Sequence, residues 1–409
     1  MTSVEPLNRN SFIRLGLVAV LLFIVVRPAT AQTDSTAKAK PTEWFRKLNI
    51  RGYAQLRYNN LLETNPDLGC EQCDRSWGGD NGFFFRRIRV VLYGQVHPRV
   101  YVYIQPDFAS SVSGSNNVAQ IRDAYFDVGL NDDNTFRVRI GQSKIPYSFE
   151  NMQSSRDRLP LDRNDALNSA TSNERDLGIF GYWAPKAIRQ RFKFLVDSGL
   201  KGSGDYGVVG VGIYNGQTAN RSDENSTPTT VARITYPFLV GKQFIEPALQ
   251  AYTGKTVVTN VSENVTGINS RFEYADRRVA ASLIVYPQPF GLNAEYNIGT
   301  GPEYNPATNV IEQKRLHGGY VLASYRAKHG DHVVTPFVRY QYYNGGKKHE
   351  LDARSYTVND FEVGAEWQPI KAFEFVATYT MSQRRYEDGQ NPHNRQEGNL
   401  LRLQFQVNF

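Results

Sequence analysis

Arginine recurs at two-residue spacing in this chain, as Arg87 and Arg89 in one short run and Arg137 and Arg139 in another, with Arg51 and Arg57 on a third. A guanidinium stays charged at any physiological pH, and its fork of N–H donors matches the oxygens of phosphate-like anions. Successive side chains on a β-strand point to opposite faces, so two arginines two residues apart serve one ligand from one face. The intervening residues are apolar: Ile88 and Val90 in the first run, Phe136, Val138 and Ile140 in the second. Each run is therefore expected to be a strand with one cationic, wet flank and one greasy flank. Arg233, Arg339 and Arg402 follow from the same parity on later runs, and Lys144 stands just beyond Arg139. Stacked along one bore, these groups would favour anions over cations. Asp123, Asp127, Glu295, Glu362 and Glu366 share the wet parity, so a mixed, weakly selective lining is the alternative.

The elements that must hold such residues are strands facing lipid on one side and water on the other, the repeating unit of a transmembrane β-barrel. Leu401, Leu403, Phe405, Val407 and Phe409 make the last such ribbon, which looks like the terminal assembly signal of that class. Alternating runs are expected at 50–58, 84–96, 100–108, 119–129, 135–141 and 175–183. Later ones fall at 205–214, 229–236, 244–253, 271–286, 290–299, 315–327, 332–343, 357–368, 372–382 and 399–409. That is an all-β, antiparallel barrel of about 16 strands over residues 48–409, wide enough for an aqueous channel. Short turns such as 97–99, 286–289 and 368–371 then fall on the periplasmic side and long polar connections outside. Phe192–Val196 reads as a further strand that would spoil the parity, so residues 184–204 are taken as an enlarged periplasmic turn. The 33-residue connection Gln142–Glu174 is too long for an ordinary turn. Folded inward as a constriction loop, it must pair its charges with the wall or aim them at the permeant. Arg156, Arg158 and Arg163 are its candidate wall anchors or filter residues.

Arg9 and Arg14 precede the apolar run Leu15–Val26, and Ala29-Thr30-Ala31 offers an A-x-A cleavage site, so residues 1–31 read as a secretory signal peptide. Residues 32–47 follow as a flexible periplasmic lead. Removing 1–31 takes three Arg and one Glu from 47 basic and 40 acidic residues, leaving a net charge of +5. Nothing resembles a nucleic-acid module, and no cofactor is expected. Cys70 and Cys73 suit a local disulfide or an inert loop feature, with metal or redox chemistry as the alternative. The six His lack Ser or Asp partners at a repeating spacing, which argues against a rim hydrolase. An adhesive barrel would predict no conductance. Inward Tyr53, Tyr93, Tyr101, Tyr103 and Tyr125 suggest a second channel reading, uptake of polar nutrients such as oligosaccharides.

Five ordered segments carry a family resemblance: Phe84–Val90 (FFRRIRV), Ile121–Tyr125 (IRDAY), Gly141–Tyr147 (GQSKIPY), Glu174–Gly178 (ERDLG) and Gly212–Gly216 (GIYNG). With the Phe-terminated last strand, they resemble the phosphate-selective porins O and P of the bacterial outer membrane. The resemblance implies a sixteen-stranded channel, usually a homotrimer in outer-membrane lipid, with an inward-folded third loop and an arginine ladder leading small anions to a constriction. Carried over by motif, Arg87, Arg89, Arg137, Arg139 and Lys144 would contact the anion. The phosphate-specific members cluster lysines at the constriction. Here Lys144 is the single Lys between Gln142 and Glu174.

Overall fold

The computed structural model describes residues 44–73, 77, 82–112, 115–225 and 227–409. The expected signal peptide and most of the lead lie outside the described residues. Alternation of apolar and polar side chains builds the strands in chain order. These are β1 (Leu48–Leu61), β2 (Phe83–His97), β3 (Val100–Val112), β4 (Ser115–Gly129), β5 (Phe136–Lys144), β6 (Arg175–Trp183), β7 (Val209–Tyr214) and β8 (Thr229–Thr235). They continue as β9 (Gln243–Val257), β10 (Glu273–Val285), β11 (Phe290–Asn305), β12 (Val310–Tyr325), β13 (His332–Gly346), β14 (Ser355–Ile370), β15 (Phe373–Glu387) and β16 (Arg395–Asn408). Each pairs antiparallel with its neighbours, and β1 pairs with both β2 and β16, so sixteen strands close a barrel. Closure leaves no unpaired edge to face lipid.

The usual distribution of side chains is inverted. Leu177, Val211, Leu283, Val321 and Val363 are exposed on the outside, whereas Arg57, Arg339 and Arg402 are among the most buried residues. Aromatic residues crowd the periplasmic ends of the strands, with Phe136 beside Trp183, Tyr236 beside Phe238 and Phe290 beside Tyr325. Such girdles sit at the membrane–water boundary.

Three details depart from the sequence expectation. Residues 184–204 are not a plain turn: they contain a helix, Lys186–Asp197, whose Ile188, Phe192 and Leu195 are buried. That i, i+4, i+7 spacing is helical, and it outweighs the short alternation within Phe192–Val196. β7 accordingly starts at Val209 rather than 205, and β5 runs on to Lys144. Finally, Trp44–Lys47 of the lead forms a 3₁₀ turn, with the Lys47 ammonium donating to the Val96 carbonyl at 3.1 Å.

The seam depends on a glycine. Gly52 on β1 exchanges both backbone hydrogen bonds with Phe409, at 2.7 and 3.0 Å. A Cβ there would lie 2.5 Å from the Phe409 ring and 2.6 Å from the Arg89 carbonyl oxygen. Gly52→Val is therefore expected to destabilise the barrel by about 1–3 kcal/mol through overpacking, read as a lower urea midpoint for the folded band on unheated gels.

Candidate permeation pathway

The connection between β5 and β6 enters the lumen because its own carboxylates and backbone are held by wall residues from at least five strands and by Lys347 just beyond β13. Its first turn, α1 (Phe149–Met152), is capped by Ser148, whose side chain accepts from the Asn151 N–H. Glu295 of β11 accepts from the Phe149 N–H at 2.7 Å, the Glu150 N–H at 2.9 Å and the Ser148 hydroxyl at 2.9 Å. Glu150 pairs with Arg339 of β13 at 3.1 Å and accepts from the Asn164 N–H at 2.8 Å. Asp162 takes Arg57 of β1 at 3.3 Å, Arg402 of β16, and the Trp77 indole N–H at 3.2 Å. Asp165, opening α2 (Asp165–Asn168), takes Lys347 at 2.5 Å and Arg384 of β15 at 2.9 Å. Burial alone would raise the Asp162 carboxyl, but Arg402 and Arg57 outweigh it and hold it well below the usual range. The same contest ends the same way at Asp165, through Arg384 and Lys347.

Apolar packing then decides which side of the bore is filled. Tyr147, Leu159, Leu161 and Leu167 of the loop form one buried cluster with Tyr252, Leu316, Tyr320, Phe337, Tyr343 and Val358 of β9 and β12–β14. From the periplasmic side, the helix α3 (Lys186–Asp197) and the irregular segment that follows it rise to meet the loop. Leu195 and Leu200 share a cluster with Phe149, Ile284 and Tyr286. The Gln153 side chain donates to the Lys201 carbonyl at 2.7 Å, and the Lys201 ammonium reaches Glu366 of β14 at 2.7 Å.

Space remains along the inner wall of β1–β6 as two cavities. The extracellular one, about 560 Å³, is lined by seven arginines (Arg86, Arg87, Arg89, Arg122, Arg158, Arg163, Arg221) against four carboxylates (Glu71, Asp107, Asp162, Glu174). The periplasmic one, about 220 Å³, lies between loop and α3 segment and carries Arg51, Arg89, Arg139, Lys144, Arg156 and Arg175 against Asp123, Asp157 and Asp205. Among the described residues only Arg89 borders both. Its guanidinium donates to Asp107 at 2.7 Å, and to the Tyr53 hydroxyl and the loop's Ser155 hydroxyl at 3.0 Å each.

The candidates read from sequence thus divide by partner. Arg57, Arg339 and Arg402 face inward but hold the loop. Arg233 pairs with Glu246 at 2.9 Å; Arg139 pairs with Asp127 at 2.7 Å, and Arg137 with Asp205 at 2.7 Å. The Lys144 ammonium is taken by the carbonyls of Met152 and Gln153, at 2.8 and 2.7 Å. Arg51 stacks on the Tyr93 ring. In the loop, Arg156 pairs with Asp157 at 3.1 Å, and Arg163 with Glu174. Arg158 differs from all of these. Only 5% exposed, it has no ion pair among the described residues, and its Nε and Nη1 have no hydrogen-bond partner. Burial pushes its guanidinium down from the ordinary arginine value, Glu150 and Glu174 only partly opposing this. Arg87 is close to that state, with its Nη1 donating to the Gln55 side chain at 2.8 Å and its Nε unmatched. Cys70 and Cys73 form a disulfide under the outer rim.

Sequence reasoning missed Arg122 and Arg221, which line the outer cavity, and Tyr206, which lines the inner one. Arg122 sits inside the IRDAY segment, and that was its available signal. Among the described residues no group of three or more His, Cys, Asp or Glu is placed to hold a metal ion.

A family model described as phosphate-selective porin O and P matches residues 67–409. A search of curated protein sequences found no match. Among solved structures, the outer membrane channel DcaP of Acinetobacter baumannii superposes with a TM-score of 0.58 at 16% identity, covering 88% of this chain and 97% of that one. Salmonella typhi OmpF gives 0.56 at 13% identity over 88% and 97%. The anion-selective porin from Comamonas acidovorans gives 0.50 at 10% identity over 88% and 99%. At these identities the likeness is one of fold.

Proposed function

The chain belongs to the phosphate-selective porin O and P family and is a porin of the bacterial outer membrane, and from that premise we propose that it is a passive channel favouring small anions such as phosphate or pyrophosphate. One observation carries the reading: Arg158, buried in the outer cavity that Arg87 and Arg122 also line, is a cation in no ion pair among the described residues. A charge in that condition is costly unless an anion shares it, so the permeant supplies the missing counter-charge. The paired arginines shape the path and the unpaired ones select. Lys144 is engaged by two carbonyls, so the reading is a broad preference for small oxyanions rather than a lysine-built phosphate filter.

Planar-bilayer reversal potentials across a potassium chloride gradient test this directly. The wild-type channel is expected to reverse on the anion side, and Arg158→Gln to lower the anion-to-cation permeability ratio several-fold with conductance little changed. A cation-side reversal of the wild type would end the proposal. A second reading, a weakly selective channel for polar nutrients such as oligosaccharides, is favoured by Tyr53, Tyr101, Tyr103, Tyr125 and Tyr206 around the inner cavity. Block of the current by a maltooligosaccharide but not by phosphate would select it. The homotrimer implied by the family resemblance belongs to the same proposal and is checked by migration before and after heating.

A further inference from the structure

The outward face of β8–β12 carries a feature the channel does not use. Cross-strand register lines up Thr230, Thr253, Arg277, Thr300 and Arg315 in one row around the barrel. The next row towards the membrane centre is Ala232, Ala251, Val279, Ile298 and His317. Together they line a recess of about 890 Å³, formed because Ala232 and Ala251 stand where the next row carries the larger Ile234 and Leu249. Arg277 and Arg315 are exposed, and neither has an ion pair or hydrogen bond from its guanidinium among the described residues. They flank Thr300 two strands apart, so their backbones are separated by about 10 Å. The nearest outward carboxylate along β10, Glu273, is already engaged by Lys255 at 3.3 Å.

The position along the strands fixes which leaflet this row meets. β10 descends from an outer loop, and Arg277 lies near its start, just above the exposed Val279 and Leu283. The row therefore sits at the extracellular edge of the apolar belt, where an outward arginine costs little and meets headgroups rather than acyl chains. We propose that this recess binds a phosphate-bearing, multiply acylated lipid of the outer leaflet. Its phosphate bridges Arg277 and Arg315, Thr300 donates between them, and an acyl chain lies over Ala232, Ala251, Val279 and Ile298. Charge complementarity chooses this occupant: two exposed guanidinium groups without a carboxylate partner among the described residues face the phosphate-bearing headgroup layer.

The test uses the folded full-length porin in detergent micelles, titrated with bisphosphorylated lipid A and followed by native mass spectrometry. Retention of the lipid is expected to fall roughly tenfold or more in the Arg277→Ala, Arg315→Ala double variant, the scale of losing charge-assisted hydrogen bonds. It is expected to fall further in the Arg277→Glu, Arg315→Glu variant, with reversal potentials unchanged in both. Equal retention of the dephosphorylated lipid would overturn the phosphate contact. Equal retention by the variants, or disulfide cross-linking of neighbouring barrels through Thr300→Cys, would overturn the site itself.

Discussion

Replacing Asp162 with alanine is expected to loosen the constriction and weaken the barrel at once. Two guanidinium groups on adjacent strands, Arg57 of β1 and Arg402 of β16, converge on this one carboxylate from the seam of the barrel. Removing one partner of a buried pair typically costs about 3–5 kcal/mol, because the remaining charge stays desolvated. A lumen that is wet on one side places Asp162→Ala near the lower end of that range. The second consequence is mechanical: the loop loses the ion pairs that tie it to the seam and keeps there only hydrogen bonds such as Arg57 to the Leu161 carbonyl and Gln55 to the Ser155 carbonyl, while Glu150 and Asp165 still hold its other flank. Single-channel conductance should rise several-fold and become noisier, and the urea midpoint should fall. Unchanged conductance would mean that the loop holds its place without this tether.

Acid should produce the same outcome in the unmodified protein. Asp162, Asp165 and Glu174 are all held below the usual carboxylate range, burial opposing and the flanking arginines prevailing. A carboxylate whose folded pKa lies below its unfolded value contributes stability that is complete above the unfolded value, about 4, and is lost as pH falls through the folded one. These three anchors should therefore hold from neutral pH down to about 4 and release only in stronger acid. Asp162→Ala should flatten that acid transition.

The other large effect is expected at the periplasmic mouth. Replacing residues 186–204 with a short Gly-Ser turn removes α3, the Leu195 and Leu200 contacts with Phe149, and the Lys201–Glu366 pair. The inner cavity then opens directly to the periplasm, and conductance should increase several-fold. Selectivity should change much less, since Arg158 and Arg87 stand on the far side of Arg89 from the excised segment. If conductance does not move, the narrow point lies wholly at the third loop. Lys201→Ala, which keeps the helix, should give a smaller change of the same sign.

Parity alone located the strands and told the wet flank from the greasy one. Arg87, Arg89, Arg137 and Arg139 all face inward, and the short turns fall at one end as expected. The reason is local: facing is set residue by residue by the pleat, and lipid on one side enforces it over every strand. What each inward charge meets is not local. Arg57 and Asp162, or Arg384 and Asp165, are remote in the chain and come together only when the third loop folds across the bore. A set of similar-looking arginines therefore resolves into loop anchors, wall pairs, and Arg87 and Arg158, which have no ion pair among the described residues. The α3 segment was legible in principle, since Ile188, Phe192 and Leu195 recur at helical spacing. A few alternating residues at its end hid that period.

Half of this lumen is packed interior and half is a passage, and the two halves should tolerate change differently. On β9 and β12–β14, inward Tyr252, Tyr320, Phe337 and Val358 behave as the core of a globular domain does, so altering them disturbs folding before it disturbs traffic. On β1–β5 many inward residues, Arg51, Arg87, Tyr101 and Asp123 among them, border open space, where a side chain can be exchanged without leaving a void. Redesign for new cargo, and natural drift in what the pore admits, should concentrate on that hemicylinder.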